Sequence, residues 1–400
     1  MEQKLVITRQ EDKIISAFIQ GRDMVQVSVN AVQEEGILGN IYLGKVKNII
    51  KNINAAFIEI ADGRMCYYSM SENRKPIMAN HSIASRTDEA TVKTGDELIV
   101  QVIREDIKTK APVVTSNINL TGKYVALTYG KTTLGVSSKI EDEKERQRLK
   151  EILKRQELKD CGFILRTNAA YTSEERIIKE LNALKEAFEQ IKTYGIHQSR
   201  FSLLYSTPPN YICDIRDGYA DHVDQFITDD QELYEHIKAY LEKYQSEDIG
   251  KLKLYEDPAL SLTNLYGINE KLKDALKPLV WLKSGGSLVI QPTEALTVID
   301  VNTGKAVAGK KKVQETFLKV NREAAKEIAK QIRLRNLSGI IIIDFIDMDL
   351  KKDKELLMEE LETYFKLDPV KTTLVDMTAL GLVEVTRKKV RKPLHEQVKE

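Results

Sequence analysis

Hydrophobic and polar positions change their period several times along this chain, and each change predicts a change of element. Over the first 36 or so residues short alternating runs, Lys4-Leu5-Val6-Ile7-Thr8 and Val25-Gln26-Val27-Ser28-Val29, predict antiparallel strands. From Gly39 to Asn117 the strand candidates are Ile41 to Val46, Ala55 to Ile60, Met65 to Tyr68, Glu97 to Ile103 and Pro112 to Thr115. Short strands at this spacing, with one long polar insertion from Ser71 to Thr94, suit a small barrel of the OB type. A mixed stretch follows, with strands predicted at Tyr124 to Thr128 and Phe163 to Leu165. Thr172 with Glu175 forms a capping-box signature opening an apolar-periodic helix that continues to about Ile191. Thr207-Pro208-Pro209-Asn210 breaks the pattern, and a helix is predicted over Gln231 to Tyr244.

The C-terminal part has the clearest pattern. Leu296-Thr297-Val298-Ile299-Asp300 predicts a strand ending in a carboxylate, and Ile340-Ile341-Ile342-Ile343-Asp344 a second. A helix from about Gln314 to Arg335 lies between them. Phe317, Val320, Ala324, Ile328 and Ile332 fall on one face of it, and Lys319, Arg322, Lys326, Lys330 and Arg333 on the other. Strand–helix–strand crossovers make the two strands parallel, with their C-terminal ends on one edge.

Composition narrows the class. With 400 residues the chain is too long for one ordinary core, and two to four structural units are expected. At 42% hydrophobic and 30% charged residues it belongs with globular proteins. No apolar run approaches the roughly 20 residues of a spanning helix. Met1-Glu2-Gln3-Lys4 does not begin a secretory signal, so a cytoplasmic location is expected. Cys66, Cys161 and Cys213 lack any Cys-x-x-Cys spacing, and the five histidines are dispersed, so neither a cysteine zinc site nor histidine metal binding is supported. Net charge is +1, but Val301 to Ile340 holds ten Lys or Arg against three Glu. That surplus can attract phosphate, yet the basic stripe points away from the sheet and reads mainly as a solvated helix face.

Asp300 and Asp344 carry the candidate chemistry. On neighbouring parallel strands their side chains would meet at the edge where open α/β sheets build sites. Two adjacent carboxylates repel unless a cation intervenes, and a hard ion with oxygen ligands, magnesium above all, resolves the conflict. Such an ion activates water and stabilises charge on a phosphoryl oxygen. Asn302 projects to the same face and can fix a carboxylate or a phosphate, and Asp347 is a candidate further ligand. Strand-end Asp residues also serve as plain helix caps or turn acceptors. A rival reading takes Gly304-Lys305-Ala306-Val307-Ala308-Gly309-Lys310 as a phosphate-binding loop. It fails at Lys311, where Ser or Thr is required, and Asp300 would oppose a triphosphate.

These residues resemble the RNase E/G family. Thr293-Glu294-Ala295-Leu296-Thr297-Val298-Ile299-Asp300-Val301-Asn302 is similar to its first catalytic segment, and Ile343-Asp344-Phe345-Ile346-Asp347-Met348 to its second. Asn321 to Ala329, Gln331 to Arg335, Leu337-Ser338-Gly339, Ser284-Gly285-Gly286-Ser287 and Gly381 to Arg387 follow the family pattern as well. The match is dense from about 280 to 392, and the domain order agrees along the whole chain. The resemblance implies an α/β and α+β multidomain fold. An RNase H-like region (1–38 and 213–276) would be split by an inserted OB-type, S1-like barrel (39–117) and a 5′-sensor region (118–212), with a DNase I-like catalytic region (277–400) after it. It implies that Asp300 and Asp344 bind magnesium and that Asn302 orients the site. Gly122, Arg166 and Thr167 would recognise a 5′-monophosphate, an Arg fork with a hydroxyl being a physically sound phosphate grip. Ala126 stands where the family tends to have a larger aliphatic residue. In the barrel, Phe57 and Tyr67 match base-stacking positions and Lys110 a basic one. Each of these can equally belong to the barrel core.

Family members typically carry a Cys-x-x-Cys, holding zinc between subunits, after the stretch that ends here at Arg391-Lys392-Pro393-Leu394. The sequence reaches Glu400 without it. Zinc is therefore not predicted, and a homodimer would not use a cysteine zinc link. The expectation is a magnesium-dependent hydrolytic endoribonuclease acting on single-stranded RNA, stimulated by a 5′-monophosphate, in RNA processing and decay, without membrane partners. The alternative is a non-catalytic RNA-binding protein using the barrel and basic patches, which would need none of Asp300, Asn302 and Asp344.

Overall fold

The computed structural model describes residues 2–32, 36–73, 75–79, 92–105, 111–156, 160–218, 223–304 and 313–399. They form two compact units, Met1–Glu34 with Asn210–Glu400, and Glu35–Pro209. The chain re-enters the first unit directly after Thr207-Pro208-Pro209. Among the described residues no helix is long and apolar enough to cross a membrane.

The first unit contains two sheets. One runs in the order Leu252–Leu254, Gln225–Thr228, Gln3–Gln10, Lys13–Gln20, Asp23–Ala31, with Gln3–Gln10 parallel to Gln225–Thr228 and antiparallel to Lys13–Gln20. Its strands are apolar on both faces because both are covered. Leu5 and Ile7 pack with Ile212, Leu233 and Ile237 of the helices Asn210–Asp217 and Gln231–Tyr244. Val6, Ala17 and Val27 pack with Leu262, Ile268 and Leu394 on the other side.

The second sheet has the order Leu279–Trp281, Ser287–Pro292, Leu296–Asn302, Gly339–Asp344, Leu382–Arg387, Thr372–Met377. Only Leu296–Asn302 and Gly339–Asp344 are parallel neighbours; the crossover helix Val313–Leu334 joins them, as the sequence pattern requires. Ile299, Val301, Ile341, Ile343, Val383 and Val385 are buried beneath that helix and the helix Lys351–Lys366. The alternate positions face away from the helices.

The basic stripe on the crossover helix departs from expectation. Lys319, Arg322 and Lys326 are exposed, but Arg322 forms a two-nitrogen ion pair with Glu360 of the next helix. Lys330 is half-buried and Arg333 is buried. The last turn packs toward the strand Asp23–Ala31, so its outer face is not simply solvated. Lys305, Lys310, Lys311 and Lys312 lie outside the described residues.

In the second unit Ile41–Ile50, Ala55–Glu59, Met65–Ser69, Val113–Thr115 and Glu97–Arg104 pair in turn, and the last pairs back to the first, closing a five-strand barrel consistent with the OB type. Beside it in sequence, the sheet Asn119–Thr121, Val125–Tyr129, Cys161–Leu165, Leu134–Val136 packs Leu127, Phe163 and Leu165 against the helices Glu143–Lys154 and Glu174–Gly195. The predicted capping box does not form. Ser173 is the N-cap residue of the second helix, and the Thr172 hydroxyl donates instead to the Asn168 carbonyl at 3.1 Å.

Candidate functional site

The pairing of the parallel strands runs Leu296↔Ile340 through Asp300↔Asp344, so the two aspartates are direct Cα partners at the strand ends. Residues opposite one another across a ladder share a face, and neighbouring strands lie about 4.8 Å apart. Because Ile299 and Ile343 point into the helix-covered core, Asp300 and Asp344 project from the other face. Asp344 and Asn302 are exposed and Asp300 is half-buried. The Asn302 amide donates from Nδ2 to Asp300 Oδ2 at 2.6 Å. Partial loss of water, and then the charges of Asp300 and Asp347, push the Asp344 carboxyl above its ordinary value. Among the described residues no group of three or more His, Cys, Asp or Glu side chains gathers as a metal cage. The edge offers two carboxylates and an amide, a hard-oxygen donor set of the kind that takes magnesium with substrate phosphates and water completing the shell.

The crossover helix anchors both loops at this edge. Asn321, fully buried, donates from Nδ2 to the Ile346 carbonyl at 2.8 Å and accepts the Ile346 N–H on Oδ1 at 3.1 Å, fixing the turn after Asp344. Glu323 accepts the N–H groups of Lys283 and Ser284 at 2.6 and 3.1 Å, fixing the turn before Ser287.

In the second unit, Arg166 and Gly122 are brought together: Arg166 Nη1 donates to the Gly122 carbonyl at 2.6 Å, and the Arg166 N–H to Tyr124 O at 2.8 Å. The Thr167 hydroxyl lies 3.0 Å from that of Ser137. Glu180 locks the same turn. Its carboxylate accepts the N–H groups of Lys123, Tyr124 and Val125 at 2.7, 2.7 and 2.8 Å. Burial pushes this carboxyl up, and the three N–H groups with the Arg166 charge pull it back. Ala126 pairs with Ile164, which is 39% exposed, so it lies on the outer side of its sheet.

Phe57 and Tyr67 are register partners on adjacent barrel strands, with rings 6.3 Å apart and nearly perpendicular. Ala56, Ile58, Cys66 and Tyr68 fill the barrel, which leaves Phe57 and Tyr67 half-buried on its outer side. The core alternative therefore does not hold for these two. Lys110 lies outside the described residues, as does most of the glycine- and lysine-rich loop after Asn302.

A family model described as the ribonuclease E/G family matches residues 119–390. The chain is 34% identical over 397 residues to ribonuclease E of Nostoc sp. (strain PCC 7120), covering 98% of the chain and 57% of that protein. It is 32% identical over 394 residues to ribonuclease G of Salmonella typhimurium and over 397 residues to that of Escherichia coli K12, spanning 79% and 80% of their lengths. The chain belongs to the ribonuclease E/G family. In this family member, local sequence pattern does not reveal Asn321, Glu323, Ser137 and Glu180 as supports of the two candidate sites. Asn321 stood inside a matched segment, but nothing in its local pattern shows that its partner is Ile346. Glu180 carried no signal at all, since one Glu on a charged helix resembles any other.

Proposed function

We propose that this ribonuclease E/G family chain is a hydrolytic endoribonuclease that cuts single-stranded RNA at the edge formed by Asp300, Asn302 and Asp344. The observation that carries the reading is the direct register of Asp300 with Asp344, on the helix-free face and at the C-terminal ends of parallel strands. Asp300 and Asp344 would hold a magnesium ion, with Asp347 alongside. When bound, the ion supplies charge stabilisation at a phosphoryl oxygen and a more acidic water. Asn302 would hold the Asp300 carboxylate through its 2.6 Å hydrogen bond, and Asn321 and Glu323 fasten the flanking turns. On this reading the strand–helix–strand unit belongs to a DNase I-like region and the N-terminal sheet to an RNase H-like one.

The Arg166 guanidinium and the Thr167 hydroxyl would receive a 5′-monophosphate, with Gly122 holding the Arg in place. Phe57 and Tyr67 would stack bases on the outside of the S1-like barrel, and Lys110 would add a positive charge for the backbone. Together these features describe an enzyme of RNA processing and decay that is stimulated by a 5′-phosphate end. One oligonucleotide, bearing either a 5′-phosphate or a 5′-hydroxyl, tests the reading. Cutting should require magnesium, should favour the phosphorylated form, and should vanish in Asp344→Asn while RNA binding persists. An Asp344→Asn protein that cuts as fast as its parent places the chemistry elsewhere. Binding without any magnesium-dependent cutting by the parent leaves only an RNA-binding protein.

A further inference from the structure

The single tryptophan of the chain, Trp281, is 69% exposed at the end of the edge strand Leu279–Trp281. Exposure alone says little, since isolated apolar side chains are common at protein surfaces. Its position says more. Trp281 pairs with Ser287, which pairs with Asn302; Leu279 pairs with Val289, which pairs with Asp300 and through it with Asp344. Val280, between the two, packs into the core beneath the helices. Leu279 and Trp281 therefore project from the face that carries the two aspartates, and Trp281 stands in the cross-strand row of Asn302. Two strand spacings separate it from Asn302, about 10 Å between Cα atoms.

The backbone around the ring is tightly held. Leu282 N–H donates to Gly286 O at 2.8 Å and Gly285 N–H to Leu282 O at 3.0 Å, while Glu323 takes the next two N–H groups. A Cβ at Gly286 would lie 2.8 Å from Asn302 O, and one at Gly304 2.3 Å from Gly285 O, so this turn and the chain following Asn302 touch backbone to backbone. The neighbours in the row are polar, Ser287 and Asn302, and Lys283 beyond the ring is exposed. An exposed aromatic plane with polar row neighbours, on a rigid support continuous with a carboxylate edge, suits a nucleotide better than an apolar protein surface.

We propose that Trp281 is a stacking platform for a base of the RNA strand close to the phosphate being cut. The proposal rests on reading Asp300 and Asp344 as the cutting site. Because the chain has one tryptophan, tryptophan emission excited beyond the tyrosine absorption band reports on this position alone. The full-length Asp344→Asn protein is titrated with a single-stranded, 5′-phosphorylated oligonucleotide in magnesium, with fluorescence and fluorescent-RNA anisotropy followed together. Quenching that saturates with the anisotropy change is expected. In the otherwise unaltered protein, Trp281→Ala should raise KM about tenfold, within the range of losing one stacked base, with an unchanged melting temperature; Trp281→Phe should restore most of the affinity. Unchanged fluorescence while anisotropy shows binding, or a parental KM in Trp281→Ala, overturns the proposal. So does an emission shift that follows protein concentration without RNA, which would mean that a second copy covers the ring. Product formation in the Asp344→Asn titration fails the cutting-site reading separately, because it is scored by strand scission and not by the ring.

Discussion

The Glu180 carboxyl group lies so close against Gly122 that a Cβ added at position 122 would fall 2.4 Å from the Glu180 carboxyl carbon. A flexible side-chain end can usually swing away from such a clash. This one is tied by three backbone N–H groups of the turn that also presents the Gly122 carbonyl to Arg166. Gly122→Ala should therefore expel the carboxylate and strand buried donors, at a cost of about 1–3 kcal/mol for each one left unsatisfied. With the Arg166 support disturbed, cutting of 5′-phosphorylated RNA should fall toward the rate on 5′-hydroxyl RNA, and the latter rate should hold. Paired kinetics on the two substrates check this. A full 5′-phosphate preference in the Ala variant would show that the turn does not position the Arg.

Asn302 yields a prediction that separates hydrogen bonding from size. Its amide donates to Asp300, and outer supports of this kind typically contribute 10–100-fold to affinity or activity where a carboxylate binds metal. Asn302→Ala should lower kcat by about that factor and raise the magnesium concentration needed. Asn302→Asp, similar in size but unable to donate when ionised, should not rescue it. RNA affinity should stay within about twofold in both, since the amide hydrogen-bonds to the Asp300 carboxylate. A near-parental kcat in Asn302→Ala would remove it from the site.

How much of this was legible follows from range. The strands Leu296–Asn302 and Gly339–Asp344 read as nearly unbroken apolar runs and their helix as an amphipathic period, so parallel placement of the two aspartates followed from local pattern and crossover handedness. The barrel strands read as short runs rich in β-branched and aromatic residues between turn signals, which located each to within a few residues. The helix Glu143–Lys154 was invisible because its sequence is mostly charged and buries only Glu145, Leu149, Ile152 and Leu153. Glu180, Asn321 and Ser137 were missed for a different reason: each acts on groups 25 or more positions away. Trp281 needed the strand register, because only pairing shows which face an edge residue takes. Arg333 looked solvated on a helical wheel, which carries no information about a second layer packing on the polar side.

The frame around the proposed 5′-sensing turn is sensitive to pH. Glu145 is buried, accepts Arg148 Nε and Nη2 at 2.9 and 2.6 Å, and accepts the Tyr171 N–H at 2.8 Å. The Arg148 hydrogen bonds first, and the Tyr171 N–H with them, hold its carboxyl below the ordinary value against the opposing effect of burial. A carboxyl whose value is depressed in the folded chain binds its proton more readily once unfolded. Its contribution is therefore complete above the unfolded value, near 4.3, and fades as pH falls through the lower folded value. Glu145→Gln should cost about 2 kcal/mol near neutral pH, the scale of a hydrogen bond to a charged group. The gap in melting temperature between parent and variant should narrow as the pH is taken from about 7 to below about 4. Thermal melts across that range decide it: a gap that stays constant, or widens in acid, would mean that the Glu145 charge contributes nothing and that only its shape matters.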